Sequence, residues 1–153
     1  MIVRVATPQE DTIIAEHFYQ MWLDVNVSAN SVKSDWREIT LQFIERARQE
    51  SFYQAFVAEV DGKIVGSVGC QLFAGLYPNI LTAEYRQSGY IWGVYVESAY
   101  RRQGIAKKLM LQALNYLKSL GCTRAVLHAS PLGKPVYSNL GFITSNEMCF
   151  ELI

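Results

Sequence analysis

The stretch "YRRQGIAKKLM", residues 100–110, sets Arg101, Arg102, Lys107 and Lys108 around Gly104 just where an apolar periodic run begins. A helix N-terminus leaves backbone N–H groups unpaired and carries about half a positive charge, so its first turn ordinarily attracts acids or a capping side chain. Cations in that place are locally unfavourable and make sense when an external anion sits there. Gly104 has no Cβ to block close approach, so the loop amides can turn inward as a phosphate nest. A solvated basic face and a nucleic-acid contact are the competing readings. The cationic cluster is short and RRM, KH and zinc-finger patterns are lacking, so nucleic acid is disfavoured as the anion. The lysine-serine of a Walker loop and the G-x-G-x-x-G of a dinucleotide fold are also missing. A small molecule with two or three phosphates fits best.

The elements that position this bend are legible around it. "IWGVYV" reads as a strand that runs into the charged turn, and residues 104–120 as a helix with an apolar stripe of Ile105, Leu109, Ala113, Leu117 and Leu120, ended by Gly121. Gly93 inside the strand marks a bulge or a close backbone approach. "RAVLHA" reads as a buried strand, "PLGKPVYSNLG" as a turn and short helix closed by Gly141, and "FITSNEMCFELI" as a final strand. Upstream, "IVRVA" alternates like a strand. Thr7, Pro8 and Glu10 form a capping box that opens a helix to about Val25. Ser34 caps a second helix with Trp36, Ile39, Phe43, Ile44 and Ala47 on one face. Two strand-like runs flank an Asp61-Gly62 hairpin turn. Residues 74–88 have no clear period and make a long connection of the kind that is often functional. The order is β-α-α-β-β-β-α-β-α-β: an α/β (α+β) fold with a central mixed sheet flanked by helices, in one domain over residues 1–153.

Length and composition agree with one globular domain large enough for a proper core. Half of the 153 residues are hydrophobic and the formal charge is zero. That zero hides an asymmetry: residues 98–146 hold seven bases and no acid. No apolar run reaches the roughly 20 residues of a membrane span, and the first residues lack a signal-peptide core. Cys70, Cys122 and Cys149 have no metal-ligand spacing and read as reduced thiols of a cytoplasmic protein that contacts neither membrane nor nucleic acid.

The segment "RRQGIA" resembles, residue for residue, the R/Q-x-x-G-x-G/A signature of the GNAT superfamily of N-acetyltransferases. It follows a strand and opens a helix as that family requires, and "LHASPLGKPVYSNLGF" is similar to the family's later strand, loop and Tyr-x-x-x-Gly-Phe ending. The resemblance covers nearly the whole chain and implies a splayed sheet and acetyl-CoA as cosubstrate, with no metal. It implies that the amides of Gln103, Gly104, Ile105 and Ala106, helped by Arg101, Arg102 and Lys107, hold the pyrophosphate. The backbone of Val94, Tyr95 and Val96 would pair with the pantetheine arm. The chain departs from the family where an asparagine usually precedes the last helix; Ser130 or Lys134 stands in for that contact. Tyr137 occupies the position of the family's general acid, four residues before Gly141.

Acetyl transfer to an amine also needs a base. Glu97 at the strand end, Glu84 in the long loop, and Tyr90 and Tyr95 as water-linked relays are the candidates, followed by His128, an imidazole suited to base work. The competing readings are a solvent-facing carboxylate for Glu97 and a hydrogen-bonded core residue of a buried strand for His128. The acceptor would be a small-molecule amine near the two amino-terminal helices and the 74–88 loop, where Trp22, Asp24, Asp35, Tyr77, Tyr85 and Trp92 lie. A homodimer, common in the family, is left open. The alternative function is a non-catalytic acyl-CoA-binding or sensing module on the same fold.

Overall fold

In a computed structural model describing residues 1–153, the chain builds a five-stranded mixed sheet in the order β1-β2-β3-β4-β5. The strands are β1 (Ile2–Val5), β2 (Gln54–Val60), β3 (Lys63–Phe73), β4 (Ser88–Val96) and β5 (Arg124–Val126). The helices are α1 (Asp11–Asp24), α2 (Trp36–Glu50), α3 (Ile105–Ser119) and α4 (Lys134–Leu140). The first four strands are antiparallel, and β5 lies parallel to β4 after the α3 crossover. No helix is long and apolar enough to cross a membrane.

Local chemistry explains most boundaries. The Thr7 amide donates to Glu10 Oε1 at 2.8 Å, pinning the short turn that leads into α1. Asp61 and Gly62 both take positive φ, 49° and 78°, as a two-residue hairpin turn demands. Gly121 and Gly141 end α3 and α4 in the left-handed region. On α3, Ile105, Leu109, Ala113 and Leu117 are buried against Val65, Val68, Ile91 and Val96 of the sheet. Each buried Ile, Leu or Val among them contributes about 1.5–3 kcal/mol.

α2 starts two residues past the expected Ser34 cap, and its buried face is Thr40, Ile44 and Ala47. Ile39 and Phe43 are half exposed instead. Trp36 stacks on Tyr19 of α1 with ring centroids 4.3 Å apart, which turns the helix and leaves Phe43 as a rim contact on Trp92.

Two expectations fail at the carboxyl-terminal side. The strand expected over "RAVLHA" is three residues long and only partly buried, because its ladder with β4 stops at Tyr90 opposite Val126. The final strand does not form: residues 142–153 make no ladder, and Met148, Phe150 and Leu152 are 94%, 85% and 90% exposed. Their alternation carries strand propensity, but a strand needs a partner edge, and β5 offers only three residues. The observed order is therefore β-α-α-β-β-β-α-β-α.

Candidate functional site

The site begins with a bulge. Between β3 and β4 the register moves from Ser67↔Tyr95 to Gly69↔Trp92, so Gly93 and Val94 together oppose Val68 alone. Gly93 takes φ +67°, which a side chain would resist, and so the glycine is what permits the bulge. Bulged strands bend and twist more strongly, and here β4 runs on to Val96 while its pairing with β5 ends at Tyr90. The β5-facing edge of Gly93–Val96 thus has no strand beside it; Val96 O accepts from Arg101 Nε, and the edge is otherwise open to an extended ligand.

The charged bend lies beyond the end of β4. Arg102 and Gly104 take φ of 62° and 78°. The first helical bond of α3 runs from Lys108 N to Gly104 O at 3.2 Å, so the amides of Gln103, Gly104, Ile105, Ala106 and Lys107 find no backbone acceptor. No side chain caps them either. The row of N–H groups meets the demands of an anion cradle. Around it, Arg102, Lys107 and Lys108 are exposed and form no ion pair.

Arg101 behaves differently. Its Nε donates to Val96 O at 2.8 Å and its guanidinium pairs with Asp24 Oδ2 at 2.6 Å, over the Tyr95 ring. It locks the end of β4 to the end of α1 rather than joining the amide row. The Asp24 carboxyl is held below its usual range by hydrogen bonds from Gln20 and Arg101. Ser130 is likewise engaged: its Oγ accepts from Gly133 N at 3.2 Å and its carbonyl accepts from Lys134 N, closing the turn before α4.

Tyr137 sits on α4, largely sheltered, with its ring laid over Gly133; a Cβ on that glycine would come within 2.9 Å of Tyr137 Cε2. Burial pushes its phenol above the ordinary tyrosine range. The hydroxyl therefore keeps its proton at neutral pH and is available as a donor.

The base candidates separate clearly. Glu84 is exposed in the 74–87 loop and makes no ion pair or side-chain hydrogen bond. Glu97 does not face solvent alone: it pairs with Lys63 Nζ at 2.9 Å and lies 3.9 Å from Nε2 of His17. His17 is itself buried, with Nδ1 2.8 Å from Ser67 Oγ and Nε2 without a hydrogen-bond partner; burial lowers its pKa, so it is a neutral wedge under Tyr95. Sequence reasoning passed over His17. It also placed His128 in a buried strand, whereas His128 lies past the end of β5, is exposed, and meets Tyr90 and Glu147. No local spacing signals Glu147, which arrives from the unpaired carboxyl-terminal segment.

On the other side of β4, Trp92 packs among Phe18, Phe43 and Tyr53 and donates to Gln71, so it is core rather than ligand surface. A cavity of about 180 Å³ opens between α1 and α2, lined by Phe18, Tyr19, Trp22, Val32 and Trp36 among others. Tyr77 and Tyr85 project from the loop, while Asp24 is held by Arg101.

The profile of the Acetyltransferase (GNAT) family matches residues 11–142. The glucosamine 6-phosphate N-acetyltransferase of Trypanosoma brucei brucei is 31% identical over 97 residues, 63% of this chain and 63% of that protein. The chain thus spans less than two thirds of that relative's length. A GCN5-related N-acetyltransferase from Ralstonia eutropha JMP134 shares the fold with a TM-score of 0.83 at 22% identity, covering 99% of this chain and 97% of that one. A predicted acetyltransferase from Clostridium acetobutylicum, solved with acetyl-CoA, gives 0.79 at 23% identity, covering 98% and 94%.

Proposed function

The chain belongs to the acetyltransferase (GNAT) family, and from that premise we propose that it transfers the acetyl group of acetyl-CoA to the primary amine of a small molecule by direct attack in a ternary complex. The observation that carries this reading is the row of unpartnered amides from Gln103 to Lys107, set just past a strand whose edge is open from the bulge at Gly93 to Val96. Diphosphate and an extended arm need those two features in that order.

The residues fit the cosubstrate. Gln103, Gly104, Ile105 and Ala106 supply N–H donors to the pyrophosphate, and Arg102 and Lys107 supply unpaired positive charge. Arg101 shapes the bend from behind through Asp24 and Val96 O. Val94, Tyr95 and Val96 offer backbone groups to the pantetheine arm. Bound acetyl-CoA supplies the thioester carbonyl and a thiolate leaving group. A backbone N–H at the bulge faces the negative charge that develops on the carbonyl oxygen. Tyr137, a phenol protonated at neutral pH, donates to the departing sulfur.

For the acceptor, the aromatic cavity between α1 and α2 favours a small molecule with an apolar or ring-shaped body. The Trypanosoma relative's name, with an amino sugar phosphate as acceptor, supports a small-molecule amine. The test is calorimetric titration with acetyl-CoA, followed by thiol release over a panel of amino sugars, polyamines and amino acids. Binding with amine-dependent release supports the reading. Binding without release for every amine would favour a non-catalytic acyl-CoA sensor.

A further inference from the structure

Tyr90 is the last residue of β4 paired with β5, opposite Val126, at the point where the two strands part. That hydroxyl lies 2.5 Å from Nδ1 of His128, and Nε2 of His128 lies 3.0 Å from Oε2 of Glu147. Three elements contribute one group each: β4, the chain just past β5, and the carboxyl-terminal segment. Tyr90 is packed on one side by Phe73, with ring centroids 5.4 Å apart, and on the other by the His128 ring at 5.7 Å.

We propose that Tyr90, His128 and Glu147 form the proton relay that deprotonates the attacking amine. The proposal rests on the acetyl-transfer reading above. The geometry admits one tautomer that satisfies every partner: Tyr90 O–H donates to Nδ1, and Nε2–H donates to the Glu147 carboxylate. The order of groups is that of a hydroxyl, an imidazole and an orienting carboxylate, with the hydroxyl passing a proton instead of attacking.

The step balances. The amine lone pair forms the C–N bond as the C–S bond breaks. The nitrogen gives its proton to the Tyr90 oxygen while Tyr90 passes its own to His128 Nδ1. The resulting imidazolium is held by Glu147. Tyr137 protonates the thiolate, and Tyr137 and His128 then reset by exchanging one proton through solvent. His128 and Glu147 are both exposed, which gives them that exchange. Burial, and next the Glu147 charge, raise the Tyr90 phenol above its ordinary range. Tyr90 therefore enters the cycle protonated, as a relay requires. Tyr90 and Glu147 are the titratable groups that meet the His128 ring. Neither Glu84, exposed and uncontacted, nor His17, sealed beneath Tyr95, offers a comparable chain.

Tyr90 is the catalytic member; His128 and Glu147 act through it. With an amine that the wild type acetylates, His128→Gln should lower kcat about 100-fold and leave the acetyl-CoA Kd within twofold. Glu147→Gln should lower kcat about tenfold, less than His128→Gln does, and leave the acetyl-CoA Kd within twofold. Tyr90→Phe should match His128→Gln. In the free protein, the ¹⁵N shifts of neutral His128 should show Nδ1 unprotonated and Nε2 protonated. Unchanged kcat in His128→Gln, or a neutral His128 protonated at Nδ1, would overturn the relay and leave acetyl transfer standing. A folded wild type that binds acetyl-CoA yet releases thiol with no amine would overturn both.

Discussion

Arg101 and Asp24 close a 2.6 Å ion pair between the loop that follows β4 and the last residue of α1. The same guanidinium caps the Val96 carbonyl at 2.8 Å. One side chain thereby fixes the approach angle of the amide row relative to the helix that borders the aromatic cavity. Arg101→Ala should cost about 1–2 kcal/mol of stability. Most of that comes from the carbonyl bond, because exposed ion pairs are weak. Its coenzyme A affinity should fall less than that of Arg102→Glu, for which a loss of at least about tenfold is expected. Thermal unfolding and calorimetric titration of the two variants separate a bracing arginine from a ligand-facing one.

Tyr137→Phe should lower kcat about 100-fold with the Kd for acetyl-CoA unchanged within twofold, because it removes a proton and no packing surface. Parallel losses in both quantities would assign the ring to structure alone. Steady-state kinetics with saturating amine, beside direct titration, make the comparison.

Gly93→Ala should destabilise the fold by about 1–2 kcal/mol, the cost of placing a Cβ at positive φ. The nearest neighbour of that Cβ is Phe18 Cδ1 at 3.8 Å, so strain and not collision is the cause. Since strain at this point presses the strand to straighten, turnover should fall as well. Denaturant unfolding and the thiol-release assay read the two effects.

Glu10 accepts from Arg4 through both carboxylate oxygens, and Arg4 also reaches Glu59. Arg4, followed by the Thr7 amide, brings the Glu10 carboxyl down to about 2, against a partial opposing effect of burial. A carboxyl depressed in the folded state stabilises fully above its unfolded pKa near 4.5, and that stabilisation is lost as pH falls toward about 2. With Arg4 about a third exposed, solvent screening limits the effect to about 1–2 kcal/mol. Glu10→Gln should therefore lower the melting temperature at pH 7, and its difference from wild type should shrink steadily below pH 4.5.

These features differ in how far they could be read from the chain. The Thr7–Glu10 cap, the Asp61-Gly62 turn, the Gly93 bulge and the Gly104 bend are set by neighbours within a few residues, so residue type alone announces them. The groups assigned to the proposed site are less legible. Arg101 looked like one of four equivalent cations until α1 brought Asp24 to it across 77 positions. His128 looked like core because "RAVLHA" is apolar, but the ladder that would bury it ends at Val126. Glu147 lay in a stretch whose alternating Met148, Phe150 and Leu152 pointed to a strand. The only edge beside it is the three residues of β5, and the segment instead delivers a carboxylate to His128. Pairing partners are properties of the assembled sheet, and composition does not name them.

The central claim is that the bend at Gly104 and the open edge of β4 receive coenzyme A together. Titrating the ¹⁵N-labelled protein with coenzyme A tests it directly. The account predicts that the amide resonances of Gln103, Gly104, Ile105 and Ala106 move in step with those of Val94, Tyr95 and Val96, while β1 and β2 stay unchanged. Saturating ligand that leaves either group of resonances in place would contradict it.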